Sequence, residues 1–338
     1  MFDIVVGNLL SPIVLFFVLG LIAAFFKSDL KFPSGLSEAL SIYLLIAIGV
    51  KGGIELSHYS LATMVRPIMG ALMLGILIPV MTLLIVRRFM KMDVKNSVAL
   101  AATYGSVSIV TYGAAIAFLE EQRVGYDGFM SALVVIMESP AIIVSLMLLR
   151  IAENNASQMA RSSYQLGIFK EYPIKTLFDK EVLKEGLFGK SVFLLLGSLF
   201  IGLVTGESGQ PLVKPFFVDL YPSIMMLFLL NMGIIAGHRL PEIGKHGVKL
   251  FLFAVMMPIL WGSLGVLIGA KIGLSVGSAT LMGVLAGSSS YIAAPAAMRS
   301  SVPEANPSIY LGLSLGVTFP FNLIAGIPLY YHLAQRVI

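Results

Sequence analysis

The sequence predicts an all-α integral membrane protein of about ten transmembrane helices, arranged as two inverted five-helix repeats that each contain a broken helix. Three observations predict it. First, 57% of the 338 residues are hydrophobic and only 12% are charged, with a mean hydropathy of +0.92, a balance far from that of soluble domains. Second, apolar stretches long enough to cross a bilayer recur along the whole chain. Third, Gly105-Ser106-Val107-Ser108 returns about 182 positions later as Gly287-Ser288-Ser289-Ser290, and Ala114-Ala115 returns at that offset as Ala296-Ala297.

In the first half, 1–150, the predicted spans run near Leu9–Phe26, Leu36–Val50, Pro67–Val86, Ser97–Leu119 and Phe129–Leu149. In the second half, 188–338, they run near Ser191–Val204, Phe217–Ala236, Leu250–Ala270, Ala279–Met298 and Ile309–Leu333. Met1-Phe2-Asp3 is acidic where a removable signal peptide carries positive charge, so the apolar run from Ile13 is expected to begin the first span. Pro140 falls against Pro320, each expected inside the helix after the broken one.

Five spans per half oblige the second copy to enter from the opposite face, which inverts it. Of the 23 Lys and Arg, only Lys51, Arg66, Arg123, Lys214, Lys271 and Arg336 fall on one side of the predicted membrane. The positive-inside rule makes the other side cytoplasmic and puts both termini outside, with the chain multi-pass in the plasma (inner) membrane. Residues 151–187 form a polar cytoplasmic linker. Within it, Phe169, Tyr172, Ile174, Leu177 and Phe178 among alternating charges fit a helix lying on the membrane surface, whereas Asn154–Ser163 reads as flexible.

Composition also excludes functions. Zero cysteines remove disulfides and thiolate metal sites. The net charge of +5 reflects orientation in the membrane, so no nucleic-acid partner is expected. His58, His238, His246 and His332 lie near segment ends without metal-ligand spacing, so no transition metal is expected. An intramembrane serine hydrolase needs a base beside its nucleophile, and neither a histidine nor a Gly-x-Ser-x-Gly elbow occurs in the interrupted stretches.

The interrupted stretches are where chemistry is expected. A membrane helix broken at mid-depth frees N–H and C=O groups that only protein, water or a solute can satisfy. Small residues there can also serve close helix packing, and for one stretch alone both readings stand. Paired interruptions at corresponding places in two halves point to a transporter's binding site. Two facing half-helix N-termini present N–H groups and positive dipole ends, a cage for a small anion. Gly105, Ser106, Val107 and Ser108 from one break, and Gly287, Ser288, Ser289 and Ser290 from the other, are the candidate substrate-binding residues. Their hydroxyls can bind an oxyanion without a permanent charge. Backbone carbonyls and hydroxyl oxygens, with Glu138, can hold a hard cation such as Na+ alongside.

Glu138 is the leading single residue, because an unpaired carboxylate inside a membrane is costly. A hydrogen-bonded neutral acid, or pairing with Lys51, is its structural alternative; Lys51 itself reads as a helix-end residue that snorkels. Thr111, one turn past the first break, can add a hydroxyl or bond back to its own helix. Asn231 and Asn322 can supply carbonyl oxygens to a cation or bond across helices, and packing is the reading adopted for both.

Gly105 to Ser108 with Thr111 and Leu119-Glu120-Glu121, and the stretch from Ser288-Ser289-Ser290 through Pro295, Arg299, Pro303, Ala305-Asn306-Pro307-Ser308 and Tyr310, resemble the cyanobacterial-type sodium-dependent bicarbonate transporter family (SbtA type). The resemblance implies ten spans as inverted repeats, a gate and a core subdomain, and a homotrimer. It also implies bicarbonate held between the two breaks with Na+ beside it as coupling ion, and control by a PII-like cytosolic regulator. Sodium-binding residues on this basis are Thr111, Glu138, Ser289 and Tyr291. Tyr291 stands where the family has an aspartate after the three serines, and Ile109 and Val110 replace a small polar pair, so the site is less polar than the family pattern. The expected function is Na+-dependent uptake of bicarbonate; a carrier of another small anion or monocarboxylate, coupled to Na+ or H+, is the alternative, ahead of a channel.

Overall fold

A computed structural model describes residues 2–33, 35–161, 188–244 and 247–338. The protein is all-helical, 84% helix with no strand among the described residues. The first half contains α1 (Phe2–Leu9), α2 (Pro12–Phe25), α3 (Leu36–Leu56), α4 (Leu61–Ile85), α5 (Val94–Gly105), α6 (Ile109–Glu121) and α7 (Met130–Arg161). The second contains α8 (Lys190–Val213), α9 (Tyr221–Gly244), α10 (Val248–Lys271), α11 (Val276–Gly287) and α12 (Ala293–Ser301). It closes with α13, the helical run Pro307–Val337, which has π-helical turns at Ser314–Thr318 and Asn322–Gly326.

Seven helical runs are long and apolar enough to cross a membrane: Leu36–Leu56, Ala62–Met90, Val94–Glu121, Met130–Ala152, Lys190–Pro241, Val248–Lys271 and Pro307–Val337. One of them, Lys190–Pro241, has 52 residues. At about 1.5 Å per residue it would be roughly 78 Å long, more than twice the hydrocarbon thickness. It comprises α8 and α9 joined by a π-helical turn at Lys214–Asp219. Pro12–Phe25 and Val276–Gly287 are shorter apolar helices.

The two interrupted helices begin and end alike. Asp93 caps α5 by accepting from the Asn96 N–H at 2.9 Å, and Ser275 caps α11 by accepting from Ser278 at 3.3 Å. Each first half-helix is 12 residues long and ends on a glycine. The next residues leave the helix in the same extended conformation, Ser106 at φ −85, ψ 161 and Ser288 at φ −83, ψ 169. Each terminal glycine abuts a proline of the preceding long helix: a Cβ on Gly105 would lie 2.8 Å from the Pro79 ring, and one on Gly287 would lie 2.8 Å from the Pro258 carbonyl. Pro258 cannot donate to the carbonyl of Ala254 one turn earlier, and the Thr318 hydroxyl supplies that bond at 2.7 Å.

The halves exchange partners. α2 packs along α9, and α3 along α8. Both crossings are glycine to glycine: a Cβ on Gly20 or Gly233 would overlap the other helix's backbone, and the same holds for Gly53 and Gly202. Backbones approach this closely only where a Cβ is missing, the means by which membrane helices gain van der Waals contact. Outward faces stay greasy: Phe25, Met69, Leu84, Phe200, Val204 and Met256 are all exposed. Lipid tails suit such surface, which water would not.

One expectation is corrected. α7 continues through Arg161, so the part of the flexible-reading segment from Asn154 to Arg161 is helical, its Ala, Gln, Met and Arg content being compatible with extending the span as a helix. The amphipathic stretch from Phe169 to Leu183 lies outside the described residues.

Candidate functional site at the helix breaks

The breaks meet. The Ser108 N–H donates to the Ser288 hydroxyl at 2.9 Å, and that hydroxyl donates to the Leu285 carbonyl at 3.1 Å. From the other strand, the Ser290 N–H donates to the Thr103 carbonyl at 2.8 Å. Two extended segments therefore cross within the bundle, each satisfying a polar group of the other, as irregular backbone away from water must.

In each second half-helix a first-turn N–H donates to a serine of the break. Ser108 caps α6, its Oγ accepting from the Thr111 N–H at 3.2 Å and from the Thr111 hydroxyl at 2.9 Å. Ser290 Oγ accepts from the Ala294 N–H at 3.2 Å, but α12 begins only at Ala293, so Tyr291 and Ile292 remain outside it. The first N–H groups of α6 and α12 thus lie at the crossing, where they favour negative charge.

Ser108, Glu138, Ser290 and Tyr291 line one pocket of about 10 Å³, with Val107, Ile109 and Ser191. That is room for about one water or a bare ion. Glu138 arrives on α7 at 6% exposure, and among the described residues no hydrogen bond or ion pair reaches its carboxyl. Lys51, the partner considered for it, instead bonds Glu120 Oε1 at 3.2 Å. The Tyr291 hydroxyl is buried beside Ser108 without a well-formed hydrogen bond, and its ring meets Phe319 edge-on at 5.3 Å. Ser106 Oγ is also buried and, among the described residues, unpartnered. These orphaned oxygens are the donor chemistry a hard cation takes.

Other expected residues are engaged elsewhere. Ser289 turns from the pocket and shares a hydrogen bond with Ser314 at 2.8 Å. Gly105 and Gly287 end their half-helices against Pro79 and Pro258. Asn322 bonds across helices, donating to the Gly287 carbonyl at 2.8 Å and accepting from the Tyr330 hydroxyl at 2.8 Å. Ser191, Ser314 and Thr103 had no signal of their own, being single small polar residues in or beside apolar runs.

A cavity of about 710 Å³ leads to this point along the N-terminal half of α3 and the C-terminal half of α9. It shares Leu45, Ser191, Tyr291 and Ile292 with the small pocket. Its wall includes Arg239, Arg299 and Lys190, the last in an ion pair with Glu38.

An apolar helical bundle with two broken helices meeting at buried hydroxyls and a carboxylate is the construction of a membrane transporter. The chain belongs to the Na+-dependent bicarbonate transporter superfamily, whose sequence profile matches residues 12–335. A comparison with individually curated proteins finds no match.

Proposed function

We propose that the protein is a secondary active carrier that takes up bicarbonate with Na+, binding the anion between the two helix breaks. The observation that carries this reading is the crossing itself: Ser108 to Ser288 and Ser290 to Thr103, beside Glu138. The α6 and α12 N-termini offer N–H groups to an oxyanion, and Glu138, Ser106 and Tyr291 offer oxygens to Na+.

The reading includes ten spans. α8 and α9 count separately, and α2 and the α11–α12 pair add to the long runs. Residues 1–150 and 188–338 then form inverted repeats of five, joined by 151–187 on the cytoplasmic side. Equal half-helices, matched cap positions and the exchanged Gly20–Gly233 and Gly53–Gly202 crossings support the repeat. With both termini outside, the large cavity opens toward the cytoplasm, lined by bases that draw anions off the site.

A second reading is favoured by one observation. Among the described residues Glu138 has no partner, and Tyr291 brings a neutral phenol rather than a second carboxylate, which suits a proton as coupling ion for bicarbonate or another small anion such as a monocarboxylate. Purified protein in liposomes separates the two. Uphill accumulation of labelled bicarbonate under an imposed Na+ gradient is the expected result; accumulation driven by a pH gradient alone selects the proton, and none under either gradient rejects coupled bicarbonate transport.

A further inference from the structure

At the opposite ends of α3 and α9 from the large cavity lies a pocket of about 80 Å³. Lys51, Glu120, Ser131, Phe217 and Tyr221 line it. Lys51 is one-third exposed, with its ammonium 3.2 Å from Glu120 Oε1 and 3.2 Å from the Tyr126 hydroxyl. The Tyr221 hydroxyl is buried without a partner among the described residues, pressed so close to Gly113 that a Cβ there would overlap it. Ser131 shares a hydrogen bond of 3.1 Å with Tyr112, one turn along α6 from the Ser108 cap. That bond lies between the pocket and the crossing.

Resting on the carrier reading above, we propose that this pocket is a capture site for a small oxyanion arriving from the side opposite the large cavity, held by the Lys51 ammonium and the Ser131 and Tyr221 hydroxyls before it reaches the helix breaks. At water's share of roughly 30 Å³ the volume is that of about three waters, room for a small polyatomic anion. A lysine serves this purpose well, because its compact, hydrated charge attracts an anion without the two-point grip of an arginine. Glu120, half exposed, is the counter-ion the anion displaces toward water. The orphaned Tyr221 hydroxyl and the charge point to the same ligand: both are donors, and a cation would meet the ammonium.

The absence of cysteine from the chain makes a direct test clean. Lys51→Cys is reconstituted in liposomes, and its thiol is converted with an aminoethyl, a methyl or a sulfonatoethyl thiosulfonate. Lys51→Cys is expected to lower uptake at subsaturating bicarbonate roughly tenfold, as for a lost charge-assisted hydrogen bond. Aminoethylation, which rebuilds the ammonium, restores it; the methyl and sulfonatoethyl groups do not, and Tyr221→Phe lowers uptake severalfold with unchanged thermal stability. Equal recovery with all three reagents, or no loss in Lys51→Cys, overturns the proposal. A second arm stands apart from transport: Ala117→Cys, on the pocket wall with Lys51 intact, is labelled while bicarbonate, formate or nitrate is present. Slowed labelling by any of them supports the site even if the parent moves no bicarbonate, in which case the carrier reading is what failed. Unslowed labelling by all three overturns the site.

Discussion

Ser288 accepts a hydrogen bond from the Ser108 N–H at 2.9 Å, whereas Ser106, its counterpart in the other break, leaves its own hydroxyl unpartnered. The difference arises because the Ser290 N–H bypasses Ser106 and goes directly to the Thr103 carbonyl. Ser288→Ala strands a buried N–H and should cost about 1–3 kcal/mol. Ser106→Ala strands nothing in the protein, so its unfolding temperature should stay near the parent's while uptake falls. Thermal unfolding in detergent beside uptake in liposomes checks both; a Ser106→Ala variant with full transport removes that hydroxyl from the site.

The glycine crossings make a sharper structural claim. Gly197 and Gly202 sit on the same helix, yet a Cβ at Gly197 meets nothing within 4 Å while one at Gly202 drives into α3 at Val50 and Ile54. Gly197→Ala should be neutral or stabilising by up to about 1 kcal/mol through helix propensity. Gly202→Ala, and likewise Gly20→Ala, should destabilise by about 1–3 kcal/mol through overpacking. The yield of folded protein and its melting temperature report both, and equal stability of the Gly197 and Gly202 variants contradicts the backbone contact.

Much of this was legible before any coordinates, and the physics says which part. A membrane forces long apolar runs, so helices over Leu36–Leu56 or Val248–Lys271 announce themselves. The 182-residue offset is visible in Gly105–Ser108 and Gly287–Ser290, and the structure extends it to Asp93 and Ser275, which cap their helices by a local rule. Long-range partners leave no such trace. Nothing among 33 glycines marks Gly20 for Gly233, because that contact depends on how α2 lies on α9. Likewise no spacing tells which serine of Ser288-Ser289-Ser290 faces the pocket; outside a regular helix, periodicity gives no direction. Ser289 went to Ser314, a residue hidden in an apolar run.

Sidedness can be read with cysteines added one at a time to a chain that has none. Lys31, in the connection between α2 and α3, and Gln122, just past α6, are both exposed. An impermeant thiol reagent applied to intact cells should label Gln122→Cys and spare Lys31→Cys until the membrane is opened. The opposite pattern reverses the orientation, and with it the direction in which the large cavity faces.

Tyr291 and Glu138 line the same small pocket, so the proposed coupling to a cation can be tested at both. Glu138→Gln keeps the size and one carbonyl oxygen but removes the charge. If the carboxylate holds Na+, the Na+ concentration for half-maximal transport should rise severalfold, with less change in the anion's requirement at saturating Na+. If it carries a proton instead, the parent depends little on Na+ and the variant loses its pH dependence. Tyr291→Asp is the converse change. It removes a buried ring packed on Phe319, at about 3–5 kcal/mol of stability, and installs a carboxylate beside the Glu138 pocket. In the folded fraction, two nearby acids should bind Na+ more tightly than one, so half-maximal transport should occur at severalfold lower Na+. Uptake measured over a matrix of Na+ concentration and pH, for parent and both variants, tells these cases apart. Unchanged Na+ and pH curves in both would show that neither residue touches the coupling ion.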